Sequence, residues 1–373
     1  MKKIIEYEIV RLFAMICVVA GHSCYTHIGY AKYQLYCAEG GGITQSLWTM
    51  QNYLVGFVYS FHMPLFFLLA GAVFCNSLEH RGFSPARTFV VKKTRRLLLP
   101  YLFYGVLFMI PVKFLMNWWA PNEAFSNIVR NYVVDGASSG HLWFLVSLFT
   151  AYVMVYGVAR LVQGVTVWSV LMVNALCWFL CFWGVRWGNF LPHAGEAATI
   201  FSSKFLLCMS LGMLIHKAKP AIDEFVRRWG VAALLLMLTL LLYQVTQYER
   251  GRHWPVIFSV LVFLEVYLLA GFVLRFDFVR LAIDRPWFWF VSKNLMGVYL
   301  IHDPLNYVIL DLYRRFGLFD LKVEACWVSL FRFVGLFLIS LLLSWVIGRA
   351  IGIVSQSALI GTLKRRFCTE AVA

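Results

Sequence analysis

Ten apolar stretches, each long enough to cross a lipid bilayer, are the feature that most limits what this chain can fold into. A transmembrane helix needs about 17–25 predominantly apolar residues. The stretches lie near residues 7–28, 52–76, 97–118, 141–162, 166–185, 199–216, 229–247, 254–274, 288–311 and 327–352. The sequence therefore predicts an all-α fold, a polytopic transmembrane helical bundle of about ten spans.

The composition favours a bundle without a soluble domain. Of the 373 residues, 61% are hydrophobic and 14% are charged. This charged share is about half of that in an ordinary soluble domain. The mean hydropathy is +0.74, and Trp and Phe occur from end to end. We predict one transmembrane domain over residues 1–355, followed by a basic cytoplasmic tail over residues 356–373.

The net charge of +15 comes from basic residues that lie between the apolar stretches. Lys and Arg concentrate in alternate connections, at 77–96, at 217–228 and in the C-terminal tail. Cytoplasmic loops carry such an excess, and an even number of spans puts both termini on one side. We therefore expect cytoplasmic termini and no nucleic-acid partner. We also expect the surrounding lipid bilayer to be a bacterial inner membrane. The sequence leaves a homo-oligomer open.

A few ionisable side chains lie within the apolar stretches, where each costs roughly 2.5–3.5 kcal/mol to insert. Each is therefore a candidate for the wall of a buried cavity or pathway. The set comprises Arg11, His22, His62, Lys204, Glu265, His302, Asp303 and Arg332, with His141 at the outer start of the fourth span.

The first stretch begins with an arginine and ends with a histidine. Arg11 and His22 are about three helical turns apart, which places them on one face and about 16 Å apart along the axis. Glu8 lies one turn before Arg11 and can pair with it. This spacing predicts a polar stripe. It also fits a simpler arrangement, in which Arg11 snorkels to the interface and His22 bonds a neighbouring helix.

A basic stretch, KKTRR at 92–96, precedes the third span. Such a run ordinarily anchors a span at the cytoplasmic surface. On a helix Lys93 and Arg96 share a face, and two cations beside a cavity mouth also suit a phosphorylated ligand. The residues alone leave both interpretations open.

Three other stretches are ambiguous when each is taken alone. In FHMP at 61–64, Pro64 frees a backbone carbonyl within a span, which either opens space or is tolerated by packing. The aromatic residues of WFL at 143–145 and YLIH at 299–302 also fit the belt of aromatic side chains at a membrane interface.

Together these stretches resemble, in content and order, the acyltransferase-3 family of integral-membrane acyltransferases. The matching elements are Arg11 with GHS at 21–23, FHMPLFFLLAG at 61–71, KKTRRLLLPY at 92–101, HLWFL at 141–145 and YLIH at 299–302. No single element is specific, but five of them in this order extend over most of the chain. The second and fourth elements are most similar to the branch that includes sugar O-acetyltransferases.

The resemblance implies an enzyme that moves an acyl group, acetyl in this branch, from cytosolic acyl-coenzyme A to a hydroxyl of a cell-surface glycan or lipid-linked sugar. It implies that His22 and Arg11 are the essential pair of the first span. It also implies that Lys93 and Arg96, with Arg95 beside them, contact the donor. The family usually has two arginines, or Lys-Arg, in this pair, and Lys93 would meet phosphate as a point charge, without bidentate contact.

The chemistry of acyl transfer fits these residues. A base with a pKa near neutral must take the proton of the acceptor hydroxyl, and His22 is the candidate. Arg11 is about 16 Å from His22, so we assign it to acetyl-coenzyme A or to a structural pair with Glu8. The substrate-binding candidates, each also explained as a structural contact, are His62, His141, Trp143 and His302. We expect no permanently bound cofactor and no metal site, because the nine cysteines form no CxxC pair.

Several alternatives remain open. One is a catalytically silent scaffold, or a relative that transfers succinyl or acts on another acceptor. A transporter or flippase of a lipid-linked or acylated glycan would use the intramembrane histidines as a proton relay, and it would be expected to carry paired carboxylates or a repeat with broken helices. Glu265 is nearly alone in that role. Within the enzyme hypothesis, the acyl group either passes directly from the thioester to the acceptor beside His22 or first joins a nucleophile of the enzyme.

Overall fold

A computed structural model shows a bundle of long helices. It describes the backbone of residues 4–24, 27–28, 31–34, 43–116, 118–119, 122–134, 140–162, 166–188, 203–252, 254–316 and 325–356. The predicted tail over 356–373 lies outside these residues, apart from its first residue. The side chain of Lys204 also lies outside the described part.

A helix lies at each of the ten predicted spans. In chain order the helices are α1 (Ile5–Ser23), α2 (Ile43–Tyr59), α3 (His62–Arg81), α4 (Ala86–Leu115), α5 (Phe125–Val134), α6 (Trp143–Leu161), α7 (Val167–Gly188), α8 (Ser203–Arg228), α9 (Gly230–Glu249), α10 (Pro255–Val273), α11 (Asp277–Asp284), α12 (Pro286–Arg315) and α13 (Ala325–Gln356). Among the described residues, seven candidate spans are long and apolar enough to cross a membrane. The prediction of an all-α integral membrane protein is confirmed. The count of ten spans and the cytoplasmic termini stay predictions.

Two of the connections between predicted spans contain regular structure. Between the first and second spans, β2 (Ala31–Gln34) pairs antiparallel with β1 (His27–Ile28), and α2 has already begun at Ile43. The connection between the third and fourth spans holds α5.

The span predicted at 52–76 is broken into two helices. α2 ends at Tyr59 and α3 begins at His62, so Pro64 lies in the first turn of α3. The first turn of a helix has no carbonyl partner for its N–H groups, and a proline there costs no hydrogen bond. The interpretation of Pro64 as a residue within a continuous helix is therefore wrong. The carbonyl of Phe61, at the break, accepts a hydrogen bond from Ser259 of α10 at 3.1 Å.

The basic stretch lies on a helix rather than in a loop. Only residues 82–85 separate α3 from α4, and α4 carries two π-helical segments, Thr94–Leu98 and Gly105–Met109. Each π segment ends two residues before a proline, Pro100 or Pro111, whose missing N–H leaves an upstream carbonyl without its normal partner. A π turn adds one residue, so it rotates all following side chains by about 100° around the helix.

Close helix contacts hold the bundle together. A side chain on Gly71 of α3 would collide with the backbone of Met209, and one on Gly212 of α8 with the backbone of Leu68. Small residues allow such backbone approach in membrane proteins, where packing replaces the hydrophobic effect. The contact between α3 and α8 therefore requires a glycine at Gly71, the last residue of the stretch FHMPLFFLLAG.

A tyrosine pair fixes α5 against α4. Tyr132 donates to the carbonyl of Tyr101 at 2.5 Å, Tyr101 donates to the carbonyl of Tyr132 at 3.0 Å, and the two rings are stacked. Burial raises the pKa of the Tyr132 phenol above its ordinary value, so this group stays protonated and remains a donor.

Candidate active site

A cavity of about 740 Å³ opens at the end of the bundle where α1 finishes, which we term the His22 end. Its wall combines aromatic rings with a small number of polar groups, the usual character of a small-molecule site. The lining residues are Val18, His22, Tyr59, Ser60, His62, Met63, Pro64, Lys113, Trp118, Gly140, His141, Trp143, Phe205, Pro255, Tyr299, Asp303 and Tyr307.

Asp303 of α12 is the centre of the polar wall. Its side chain is 3% exposed, and its Oδ2 atom lies 2.8 Å from Lys113 Nζ and 3.0 Å from His141 Nδ1. Its Oδ1 atom lies 3.3 Å from His22 Nδ1. A buried carboxylate is retained only with such partners, because an isolated charge is costly to desolvate. We refer to Asp303, His22, Lys113, His141 and His302 as the Asp303 cluster.

The contacts of His22 determine which of its nitrogens carries the proton. His302 Nδ1 faces two backbone carbonyls, at 2.8 and 3.0 Å, so Nδ1 is the donor of this ring and Nε2 of the neutral ring is an acceptor. His22 Nδ1 lies 3.0 Å from His302 Nε2 and also faces Asp303, so both of its neighbours are acceptors. The neutral His22 ring therefore carries its hydrogen on Nδ1, and its lone pair is on Nε2.

The backbone at the end of α1 is held as firmly as the His22 ring. Asn306 of α12 donates to the carbonyl of His22 at 2.8 Å. The buried guanidinium of Arg332 on α13 donates from Nε to the carbonyl of Ser23 at 2.8 Å, and also from Nη2. A cation at a helix C-terminus also meets the negative end of the helix dipole. These two side chains fix the position of His22.

Three of the predicted substrate contacts, His62, His141 and Trp143, line the cavity, whereas His302 contacts His22 and is not a lining residue. His141 lies on the 3₁₀ turn Gly140–Leu142, and its Nε2 atom is 3.3 Å from the carbonyl of Leu300. The hydroxyl of Tyr299 donates to the backbone carbonyl of His141. His62 is buried and lies edge-on to Tyr59, and its Nδ1 atom is 3.0 Å from the carbonyl of Val58. The Trp143 ring stacks on Phe205, with 5.3 Å between ring centroids. The structure thus brings His22, His62, His141, Trp143 and His302 together.

Arg11 lies on the same face of α1 as His22 but takes part in a separate network. It forms an ion pair with Glu8, and its Nη2 atom donates to the carbonyl and the hydroxyl of Ser292 on α12, at 2.8 and 2.6 Å. The polar stripe expected from the spacing therefore faces α12 at both ends. We term this opposite end of the bundle the Arg11 end.

The basic residues of α4 lie at the Arg11 end. Arg96 is close enough to Arg11 for the two cations to interact electrostatically. The ammonium of Lys93 lies 3.1 Å from the centre of the Tyr152 ring, a cation–π contact. Arg95 and Arg96 are exposed. The structure places Arg11, Lys93 and Arg96 away from the cavity, and their contact with a donor stays a prediction.

A second polar cluster, the Glu79 cluster of Tyr7, Cys75, Glu79, His216 and Lys217, also lies at the Arg11 end. The possible metal-ligand atoms of Cys75, Glu79 and His216 lie within 4.8 Å of one another. This is the one such group in the part of the chain that the structure describes. Tyr7 lies 2.8 Å from His216 Nδ1, and His216 Nε2 lies 3.0 Å from Glu79. Lys217 Nζ is 2.5 Å from Glu79 and competes with any metal for that carboxylate. We interpret the cluster as an ion-pair network.

Comparison with known families decides the class of protein. A profile of the acyltransferase-3 family, described as an acyltransferase domain, matches residues 4–349. The chain belongs to this family. It is a membrane acyltransferase, and the match includes every residue of the Asp303 cluster. Searches of curated proteins and of solved structures gave no match to this acyltransferase.

Sequence reasoning missed two members of the Asp303 cluster. Asp303 was noted as an intramembrane charge without a role, although its position directly after His302 was the available signal. Lys113 was not singled out at all, because it lies near the end of a predicted span, where lysine ordinarily snorkels. Here its side chain is 3% exposed. No sequence signal revealed that Lys113 points into the bundle.

Proposed function

We propose that this acyltransferase moves an acyl group, most simply acetyl, from acyl-coenzyme A to a hydroxyl of a glycan or lipid-linked sugar, with His22 as the general base. The observation that carries the proposal is the His22–Asp303 pair on the wall of a cavity. A nucleophile–base–orienter arrangement needs a histidine whose second nitrogen is held by a fixed partner. Asp303 and His302 are those partners.

The acceptor hydroxyl supplies the nucleophile. Its oxygen attacks the thioester carbonyl carbon while its proton passes to His22 Nε2, and the carbonyl becomes a tetrahedral oxyanion. The carbon–sulfur bond then breaks, and the leaving thiolate takes the proton back from the imidazolium. Asp303, on the opposite side of the ring, stabilises the imidazolium that forms between the two steps.

The shape and chemistry of the cavity support a sugar acceptor. Tyr59, Trp118, Trp143 and Tyr307 supply flat aromatic surfaces that suit the apolar faces of a pyranose ring. His62, of which only Nδ1 faces a backbone carbonyl, supplies a polar atom for a hydroxyl group. A volume of about 740 Å³ lies within the range of ordinary small-molecule sites and accommodates a sugar together with a short acyl chain.

The donor has to reach this cavity from the Arg11 end. Three helical turns, about 16 Å, separate Arg11 from His22 along α1. A long, thin arm carrying a thioester bridges such a distance, while Arg11 and Arg96 attract the phosphates at its other end. This arrangement favours direct transfer without an acyl-enzyme. Labelled protein recovered after incubation with radiolabelled acetyl-coenzyme A and no acceptor would overturn the direct route.

Family membership favours the enzyme over a transporter or flippase. Glu265 is the intramembrane residue that best fits the carboxylate expected of a transporter. Its side chain accepts a hydrogen bond from the amide of Gln244. The predicted orientation, with the donor entering from the cytoplasm of a bacterial cell, belongs to the same proposal and can be tested with reporter fusions at both termini.

The test is thiol release by the purified protein in lipid nanodiscs, with acetyl-coenzyme A as donor and a panel of methyl glycosides as acceptors. We expect His22→Ala to lower kcat by about 10²–10⁴-fold, because proton transfer by a positioned base contributes about that much. His80→Ala is the matched control, since His80 is an exposed histidine at the other end of α3. Equal rates for His22→Ala and the parent protein would refute the assignment.

A further inference from the structure

Lys113 is a buried cation in the wall of the cavity, and the proposed reaction has so far given it no role. Its side chain is 3% exposed and lies on α4 directly after the second π segment. Its Nζ atom is 2.8 Å from Asp303 Oδ2, 4.6 Å from the centre of the Trp118 ring and 5.0 Å from the centre of the Tyr307 ring.

In the part of the chain that the structure describes, the ammonium has more donors than protein oxygens to receive them. A lysine ammonium carries three N–H donors and no acceptor. Among the described residues, Asp303 is the one oxygen partner that Lys113 contacts. Its other neighbours are ring faces, which attract the charge without accepting a directional hydrogen bond of full strength. A buried ammonium with spare donors is suited to receive a negatively charged oxygen atom.

The chain leaves space for this ammonium at Gly140. A Cβ atom placed on Gly140 would lie 2.9 Å from Lys113 Nζ, which is too close for a non-bonded carbon. The same residue has φ +49°, a left-handed conformation that glycine adopts without strain. A glycine is therefore required here both by the backbone of the 3₁₀ turn and by the position of the ammonium.

One carboxylate sets the relative position of the base and the ammonium. Asp303 Oδ1 faces His22 Nδ1, and Oδ2 faces Lys113 Nζ. The imidazole and the ammonium are therefore bridged by a single carboxylate, and both line the cavity. A reacting carbon atom beside His22 would have its carbonyl oxygen within reach of the ammonium.

We propose that Lys113 is a catalytic residue that donates a hydrogen bond to the oxyanion of the tetrahedral intermediate. The proposal rests on the proposed function and adds one interaction to it. As the acceptor oxygen bonds to the thioester carbon, the carbonyl electron pair moves to oxygen, and the Lys113 ammonium stabilises that charge. When the carbon–sulfur bond breaks, the electron pair returns and the ammonium keeps all three of its protons.

The primary test is Lys113→Met in nanodiscs, assayed by thiol release as above. We expect kcat to fall by about 10²–10³-fold at every pH, since the loss of one oxyanion donor has about that effect. The KM values for acetyl-coenzyme A and the glycoside should change by less than about threefold, because the interaction forms only in the transition state. The matched control is Lys217→Met, which removes a lysine paired with a carboxylate away from the cavity.

A different pH dependence would overturn the proposal. If Lys113 only balances the charge of Asp303, its removal would leave His22 beside an uncompensated carboxylate and hold its ring protonated at neutral pH. The rate of Lys113→Met would then recover at high pH. A parental kcat in Lys113→Met would overturn the proposal equally.

A second variant leaves all charges in place and guards against misfolding of the first. Gly140→Ala displaces the ammonium, and we expect kcat to fall by about tenfold or more with an unchanged pH profile. A parental kcat in this variant would contradict the role. If His22→Ala loses activity while Lys113→Met and Gly140→Ala keep it, the role of Lys113 is refuted and the proposed function stands. If the parent protein releases no thiol, the proposed function and the role of Lys113 are both refuted.

Discussion

The two ends of the bundle are built from the same residue types yet differ in what they can do. At the His22 end, the Asp303 cluster sets histidines and a lysine around one carboxylate that is 3% exposed, on the wall of a cavity. At the Arg11 end, the Glu79 cluster sets a histidine and a lysine around a carboxylate that is 31% exposed. The comparison teaches that burial and access to a cavity, rather than the choice of residues, distinguish the cluster that we propose for catalysis from an ion-pair network.

The sharpest test of this contrast is Asp303→Asn, which keeps the shape of the side chain and removes its charge. We expect kcat to fall by about 10³-fold, because the imidazolium of His22 loses its counter-charge and an amide can also hold the ring in the wrong tautomer. Thiol release measures the effect. The control is Asp311→Asn, on the same helix, which disrupts an ion pair with the exposed Arg315. Equal losses in both variants would show that the carboxylates of α12 act through stability alone.

In the proposed function, the role of the Arg11 end is to bind the phosphates of the acyl donor. The paired substitution Lys93→Ala and Arg96→Ala should raise the KM for acetyl-coenzyme A by about 10–100-fold and leave kcat nearly unchanged, since phosphate contacts bind ground state and transition state alike. Initial rates at varied donor concentration give both constants. Arg81→Ala with Arg87→Ala, two exposed arginines nearby, is the matched control. An unchanged KM would remove the donor role of the basic pair.

Arg332 tests how strictly the His22 end must be held in position. Arg332→Met should lower kcat by about tenfold, because the end of α1 loses a fixed contact and small displacements of a base are costly. We expect a small fall in Tm, because the Ser23 carbonyl loses its donors while the desolvation cost of a buried cation is also removed. The exposed-arginine variant Arg315→Met serves as control. A lower Tm with parental kcat would make Arg332 a stability residue.

The Glu79 cluster should give the smallest effect. Glu79→Gln weakens ion pairs that are partly exposed, so we expect less than about 1 kcal/mol of lost stability and no change in kcat. Thermal unfolding in nanodiscs and thiol release measure the two quantities. A large loss of kcat would break the comparison between the two ends, and zinc found in the purified protein but absent from Glu79→Gln would overturn the ion-pair interpretation.

The helical class of this acyltransferase was readable in the chain, since apolar stretches of 17–25 residues have few other solutions in a bilayer. The shared face of Arg11 and His22 followed from helical periodicity, because α1 is a regular helix without proline. Periodicity failed where the helix is not regular. The two π segments of α4 rotate the residues that follow them, and Lys113 lies beyond both.

The sequence by itself determined the bundle, its polar stripe and the histidines that face its interior, because these depend on local hydrophobicity and on a fixed helical repeat. Only the tertiary structure decided that Asp303 is the partner of His22 and that Lys113 and His141 join it. These residues come from separate helices and from the 3₁₀ turn, and His22 and Asp303 are 281 residues apart in the sequence. Their meeting depends on how the helices pack, for which a single sequence carries no local signal.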